Sequence, residues 1–238
     1  MRPEIIFEDD YMLACIKPYG VPSQPDKTGG EDMLTLVKEY LFEEACIETN
    51  ENEAEEPYAA VINRLDRPVG GIILFAKSQE AASKLTDMIQ DGEISKYYQA
   101  VVSGFMKEPE GSLKGYLLHD KKDNISRMVS KDTRGAKKAE LRYEVLDELE
   151  TDEGEISYLL IELLTGRHHQ IRCQLAAEGH PIWNDSKYGK SGKSKKKARG
   201  IGLFSTRIEF THPYTGEDIV LHREPEGEAF DIIDQMDW

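Results

Sequence analysis

The chain has 238 residues, with 45 acidic against 30 basic side chains, a formal net charge of −15 at pH 7 and a 39% hydrophobic content. That length suits one large domain or two small ones and is enough to bury a sizeable core. No apolar run approaches the roughly 20 residues of a membrane-spanning helix, Met1-Arg2-Pro3-Glu4 lacks the apolar region of a signal peptide, and Cys15, Cys46 and Cys173 contain no Cys-x-x-Cys pair, which argues against a disulfide framework or a thiolate metal site.

In chain order, strand signals fall at residues 4–7 and 11–17, and apolar side chains recur at helical spacing over 33–41. The acidic stretch 48–56 reads as a flexible excursion. Strand signals resume at 59–65 and 71–76, separated by a polar turn containing Pro68 and Gly70. Ser78 can cap a helix whose Ala81, Ala82, Leu85, Met88 and Ile89 share one face, with Gly92 as its stop. Strands follow at 96–103, 126–130, 139–146 and 157–163, with a hairpin at 150–154. A helix over 169–177 ends at Gly179, residues 190–200 form a second excursion, strands are expected at 203–210 and 218–221, and a short helix carries Phe230, Ile232, Ile233 and Met236. Many strands and few helices, without an internal repeat, indicate an α+β domain on a mainly antiparallel sheet.

Charge is segregated along the chain. Residues 43–56 and 144–155 hold acids and no base, whereas Lys190, Lys193, Lys195, Lys196, Lys197 and Arg199 meet no acid between positions 187 and 207. A second basic cluster, Lys121, Lys122, Arg127, Lys131, Arg134, Lys137 and Lys138, is diluted by Asp120, Asp123 and Asp132. Such segregation permits a basic face on an acidic molecule, although a solvated lysine loop would give the same pattern.

The turn between the strands at 59–65 and 71–76 holds one carboxylate. Asp66 lies between Arg64 and Arg67, a locally positive setting that favours the anion, on a turn of the kind that presents reactive groups. A turn-capping aspartate would look the same.

The stretch Arg64-Leu65-Asp66, followed by a small-residue turn and an apolar strand ending Phe75-Ala76-Lys77, resembles the active-site motif of the RluA family of pseudouridine synthases. Two further blocks of that family pattern follow in order. Lys96-Tyr97-Tyr98-Gln99-Ala100-Val101-Val102-Ser103-Gly104 is similar to its Lys-x-Tyr-x-Ala-x-Val-x-Gly strand. Thr165-Gly166-Arg167-His168-His169-Gln170-Ile171-Arg172, running on to Gly179-His180-Pro181-Ile182 and Asp185-Ser186-Lys187-Tyr188-Gly189, is similar to its Thr-Gly-Arg-x-His-Gln-Ile-Arg block and downstream motifs. The opening, with Phe7-Glu8-Asp9-Asp10-Tyr11 and Lys17-Pro18-Tyr19-Gly20, fits as well.

The resemblance implies a single catalytic domain over 1–238, a bent and mainly antiparallel sheet with a central active-site cleft, and no room for an N-terminal S4 module. It implies an isomerase that converts uridines of ribosomal or transfer RNA to pseudouridine without cofactor or metal. Asp66 would be the catalytic carboxylate, Arg172 its counter-ion in a cleft that excludes water, and Tyr98 the ring against which the uracil stacks. If the strand is regular, Tyr97 points the other way. Arg64 would occupy the space of the flipped base or hold the flipped nucleotide, Ile171 would wall the base pocket, and Arg167, His169 and Gln170 would complete the substrate-binding set.

Asn63 and Val69-Gly70-Gly71 depart from the family's His and Thr-Ser-Gly, which changes the hydrogen bonding expected around the loop. His168 stands where the family commonly has Thr. The pair His168-His169 with Cys173 or His180 invites a metal reading, but a structural zinc needs four ligands, a catalytic one three, and His169 is already placed by the motif. A protein that binds or folds RNA on the same scaffold without turnover is the competing reading, and an intact Asp66, Tyr98 and Arg172 argue against it. A glycosidase would require a second carboxylate. A cytoplasmic monomer that acts on RNA, away from membranes, is expected.

Overall fold

The computed structural model describes residues 1–27, 29–49, 55–152, 154–189 and 200–234. They form two compact units, Met1–Ile94 with Arg207–Arg223, and Ser95–Thr206 with the chain from Glu224.

The first unit opens with β1 (Glu4–Glu8) and β2 (Met12–Lys17), followed by α1 (Met33–Thr49), β3 (Ala60–Val61), β4 (Gly70–Ala76) and α2 (Gln79–Asp91). β2 pairs antiparallel with β1 on one side and with β4 on the other, in the register Cys15↔Ile73. Every residue of β2 and β4 is buried, and alternation sorts their side chains onto two faces. Leu13, Cys15, Ile73 and Phe75 pack against Met33, Leu36, Val37 and Leu41 of α1. Met12, Ala14, Ile16, Ile72 and Leu74 pack against Ala81, Leu85 and Met88 of α2. The α2 signals act as expected: the Ser78 side chain accepts from the Ala81 amide, and Gly92 closes the helix at φ 79°.

Two expectations need correction here. α1 continues to Thr49 where 41 was expected, because Glu43, Glu44 and Ala45 are sound helix formers once Leu41 is docked. β3 stops at Val61 instead of 65, and Asn63 is the reason. Its buried carboxamide accepts from the Leu74 amide (2.7 Å) and donates to the Ile72 carbonyl (3.3 Å), occupying β4 groups that a longer strand would have paired.

The second unit comprises β5 (Ser95–Ser103), β6 (Glu110–Asp120), β7 (Ile125–Val129), β8 (Lys137–Thr151), β9 (Gly154–Leu163) and α3 (Gln170–Ala177). Its strands run in the order β5-β9-β8-β6-β7, and each pairing is antiparallel. β6 was not expected: only Leu117 of its 11 residues is buried, so it carries no apolar alternation. Its Gly111 lies opposite Tyr143, whose ring atoms would stand 2.8 Å from an added Cβ. β8 outruns its expected 139–146 at both ends for the same reason, since of its outer residues only Leu149 is buried. α3 packs on this sheet through Cys173, which meets Leu117 and Ala139.

β10 (Leu203–Thr211) begins in the second unit and ends in the first, where β11 (Asp218–His222) folds back on it and Ile208, Phe210 and Leu221 join the α2 side of the core. α4 (Glu228–Asp234) lies in the second unit, with Phe230 edge-on to Tyr158 and Phe204. The architecture is α+β, as expected. No described helix is long and apolar enough to cross a membrane. The lysine-rich 190–199 stretch and residues 50–54 of the acidic one lie outside the described residues.

Candidate active-site residues

Asp66 is half-buried, between exposed Arg64 and Arg67, in a turn closed by the Val69 amide donating to the Asp66 carbonyl (2.9 Å). The residues on either side of it are tied to one segment, 17–23. The Ser23 hydroxyl donates to the Leu65 carbonyl (2.8 Å) and accepts from the Leu65 amide (3.0 Å). The Gly20 amide donates to the Arg67 carbonyl (2.8 Å), and Arg67 Nε donates back to the Gly20 carbonyl (2.8 Å). Gly20 sits at φ 84°, in the left-handed region that suits glycine.

Lys17 completes this tether. Its side chain is fully buried, and Nζ donates to the carbonyls of Val21 (2.7 Å), Pro18 (3.0 Å) and Arg67 (3.3 Å). Burial pulls its ammonium down to about 7, the negative charge of Asp66 opposes that fall, and Arg67 adds to it. Sequence reasoning missed both Lys17 and Ser23. The available signal was a lysine closing the wholly apolar run Met12-Leu13-Ala14-Cys15-Ile16 immediately before Pro18.

In the second unit, Tyr98 is 5% exposed on β5, and neighbouring Tyr97 is half-buried, the alternation a regular strand produces. Arg172 is buried in α3 and binds Asp185 bidentately, Nε to Oδ2 at 2.7 Å and Nη2 to Oδ1 at 2.9 Å. The Asp185 side chain has no exposed surface, and Oδ1 also accepts from the amides of Lys187 (3.0 Å) and Tyr188 (3.4 Å). The guanidinium lies 5.3 Å from the centre of the Tyr188 ring, and burial pushes the Tyr188 phenol up to about 12. Asp185 is thus a partner of Arg172 that the sequence did not reveal.

Gln170 is 3% exposed: Oε1 accepts from the Thr165 hydroxyl (2.8 Å) and the Arg167 amide (3.0 Å), and Nε2 donates to the Glu140 carbonyl (3.1 Å). These bonds shape the turn into α3. His169 heads that helix at φ 50°, buried, with Nδ1 3.0 Å from the Tyr188 hydroxyl. Ile171 is 5% exposed, whereas Arg167 is exposed and donates Nε to the Lys138 carbonyl (2.8 Å). His168 is bonded through Nδ1 to Ser126 and through Nε2 to Asn124, each at 3.0 Å. Burial pushes the Cys173 thiol up to about 11, away from the thiolate a metal would need. Among the described residues no group of three or more His, Cys, Asp or Glu side chains is gathered around a common point.

Residues 11–177 match the family described as RNA pseudouridylate synthase. The chain is 29% identical, over 251 aligned positions, to the tRNA pseudouridine synthase C of Vibrio vulnificus strain CMCP6, covering 99% of this chain and 96% of that one. It is 30% identical over 217 positions to YhcT of Bacillus subtilis strain 168, an uncharacterized RNA pseudouridine synthase, with 91% and 67% covered. Among solved structures it is similar to the human RNA pseudouridylate synthase domain containing 1, with a TM-score of 0.74 at 17% identity over 94% of this chain and 84% of that one. That last likeness concerns the fold.

Proposed function

The chain belongs to the RNA pseudouridylate synthase family, whose members isomerise uridine to pseudouridine in RNA, and on that premise we propose that Asp66 is its catalytic carboxylate. The reaction breaks the bond from C1′ to N1, turns the uracil and rejoins it through C5. It is redox-neutral and transfers no group to a second molecule, so the reading requires neither cofactor nor metal. Each route that an aspartate can take, attack at C1′, addition to the base or removal of the 2′-hydrogen, needs an anion held beside the sugar.

The observation that carries this reading is the tether on both sides of Asp66. The carbonyls of Leu65 and Arg67 are fixed by Ser23, Gly20 and Lys17, so the turn is positioned through main-chain groups on both sides of the carboxylate. Positioned groups on a rigid support are what catalysis demands. Arg172 is assigned as the counter-ion of Asp66 and Tyr98 as the stacking ring, both by resemblance to the family motifs. Arg64 and Arg167, which are exposed, are assigned to the RNA, Ile171 to the wall of the base pocket, and His169 and Gln170 to the rest of the substrate-binding set. Both units together constitute one catalytic domain, which works as a cytoplasmic monomer. Transfer RNA is the first substrate to test, given the name of the Vibrio relative, and ribosomal RNA the second.

Tritium release from RNA carrying [5-³H]uridine, with pseudouridine mapping in cells with and without the protein, tests this. Asp66→Asn should release no tritium at a site that the parent modifies. Turnover by the variant within about tenfold of the parent, roughly 1.4 kcal/mol of barrier, would remove Asp66 from the chemistry.

A further inference from the structure

His119, His168 and His169 form a continuous stack of three imidazoles. The His168 ring lies 3.7 Å from that of His119 at an interplanar angle of 20°, and 3.8 Å from that of His169 at 23°. The inner end is anchored: His169 is buried, bonded to the Tyr188 hydroxyl, which itself accepts from the Ser126 amide (2.7 Å). The middle ring is fixed at both nitrogens by Ser126 and Asn124, and the His168 carbonyl accepts from the Ser126 hydroxyl (2.6 Å). Burial then falls along the stack, from buried His169 through half-buried His168 to exposed His119.

A rigid column of flat rings ending at an exposed ring is a platform for one more flat ring. The surrounding charge selects the ring's owner. On a chain of net charge −15, the segments that build the stack and its rim carry Lys121, Lys122, Arg127, Arg167 and Lys187 against Asp120 and Asp123. Asp123 is paired with Arg127 at 3.5 Å, and the Lys187 ammonium, bonded to the Asn124 carbonyl (2.7 Å), stands beside the residue that holds His168. A flat aromatic ring carried on a polyanion matches both features, and histidine is among the side chains on which unstacked RNA bases stack.

We propose that the exposed face of His119 is a stacking site for an unpaired base of the RNA substrate, a subsite that sets affinity and takes no part in bond making or breaking. This rests on reading the chain as an RNA-modifying enzyme. The test compares the parent with His119→Ala and His119→Phe in binding an unmodified transfer RNA transcript and a single-stranded oligonucleotide containing 2-aminopurine, whose fluorescence falls on stacking. Ala should raise Kd about tenfold and lessen the quenching, and Phe, which keeps the flat ring and removes both nitrogens, should restore both. Tritium release at saturating RNA should be the same in all three. Binding of the Ala variant within twofold of the parent, or a Phe variant as weak as Ala, overturns the proposal. The two readings fail separately. A parent that turns over no RNA yet loses affinity in the Ala variant and regains it in Phe refutes the enzyme and keeps the stack. Tritium release by the parent with no dependence of RNA affinity on residue 119 does the opposite.

Discussion

The turn around Asp66 and the segment around Arg172 are both held in place, but by different parts of the chain. Asp66 is flanked by main-chain groups bonded to residues 17–23. Arg172 is held by its side chain, through two bonds to a carboxylate that has no exposed surface. If main-chain anchoring suffices at the first position, function and stability separate there and coincide at the second. Removing the Asp66 charge and removing the carboxylate that holds Arg172 should therefore have opposite signatures.

The largest expected effect is on turnover. Asp66→Asn should abolish tritium release while leaving the melting temperature within about 2 °C of the parent, less than 1 kcal/mol. A large drop in melting temperature would show that the carboxylate itself holds the turn, and the contrast would collapse. Asp185→Ala comes next, and its effect is on stability. It leaves the buried Arg172 guanidinium without its bidentate partner, a loss of about 3–5 kcal/mol, or on the order of 10 °C in melting temperature. Thermal denaturation showing a change below about 2 °C would mean that the pair contributes little and that Arg172 is held by other means.

Lys17 places a titratable charge within the main-chain tether itself. Between pH 7 and 10.5 the folded state holds this proton less tightly than the unfolded chain, so the unfolded state binds more protons and the stability attributable to Lys17 rises with pH across that window. Relative to Lys17→Met, the parent should gain stability from pH 7 upward, by at most about 1.4 kcal/mol per pH unit, and the gap should level off below pH 7. Urea midpoints of both proteins at pH 7, 8 and 9 measure this. A gap that does not move with pH would show that the three carbonyls solvate the ammonium as well as water does.

Most of the scaffold was legible because its strands are buried on at least one face. The Ser78 and Gly92 signals bracketed α2 to within a residue, and the hairpin at 150–154 is where β8 turns into β9. β6 escaped because ten of its 11 residues are not buried, which leaves periodicity nothing to report. The Asp66 turn was visible as a motif, but its tether was not: Ser23 and Leu65 are 42 residues apart, and Lys17 and Arg67 are 50 apart. Arg172 and Asp185 are only 13 apart, yet pairing across a helix end and a turn has no fixed spacing to search for.

The smallest effect is the most direct test of main-chain positioning. Ser23 touches Asp66's neighbour and carries no charge, and its hydroxyl both donates to and accepts from Leu65, a residue only 6% exposed. Ser23→Ala leaves the Leu65 amide and carbonyl without that partner, at a cost of about 1–2 kcal/mol in stability. If the tether serves catalysis, kcat should fall severalfold with KM unchanged, because the loosened turn lets the carboxylate stray from its attack position while RNA-binding groups elsewhere are untouched. Ser23→Thr keeps the hydroxyl and should recover most of the rate. A role in stability alone would lower the melting temperature of the Ala variant and leave kcat at the parental value below the transition, and rigid positioning of Asp66 would then have to come from Gly20 and Lys17 without Ser23.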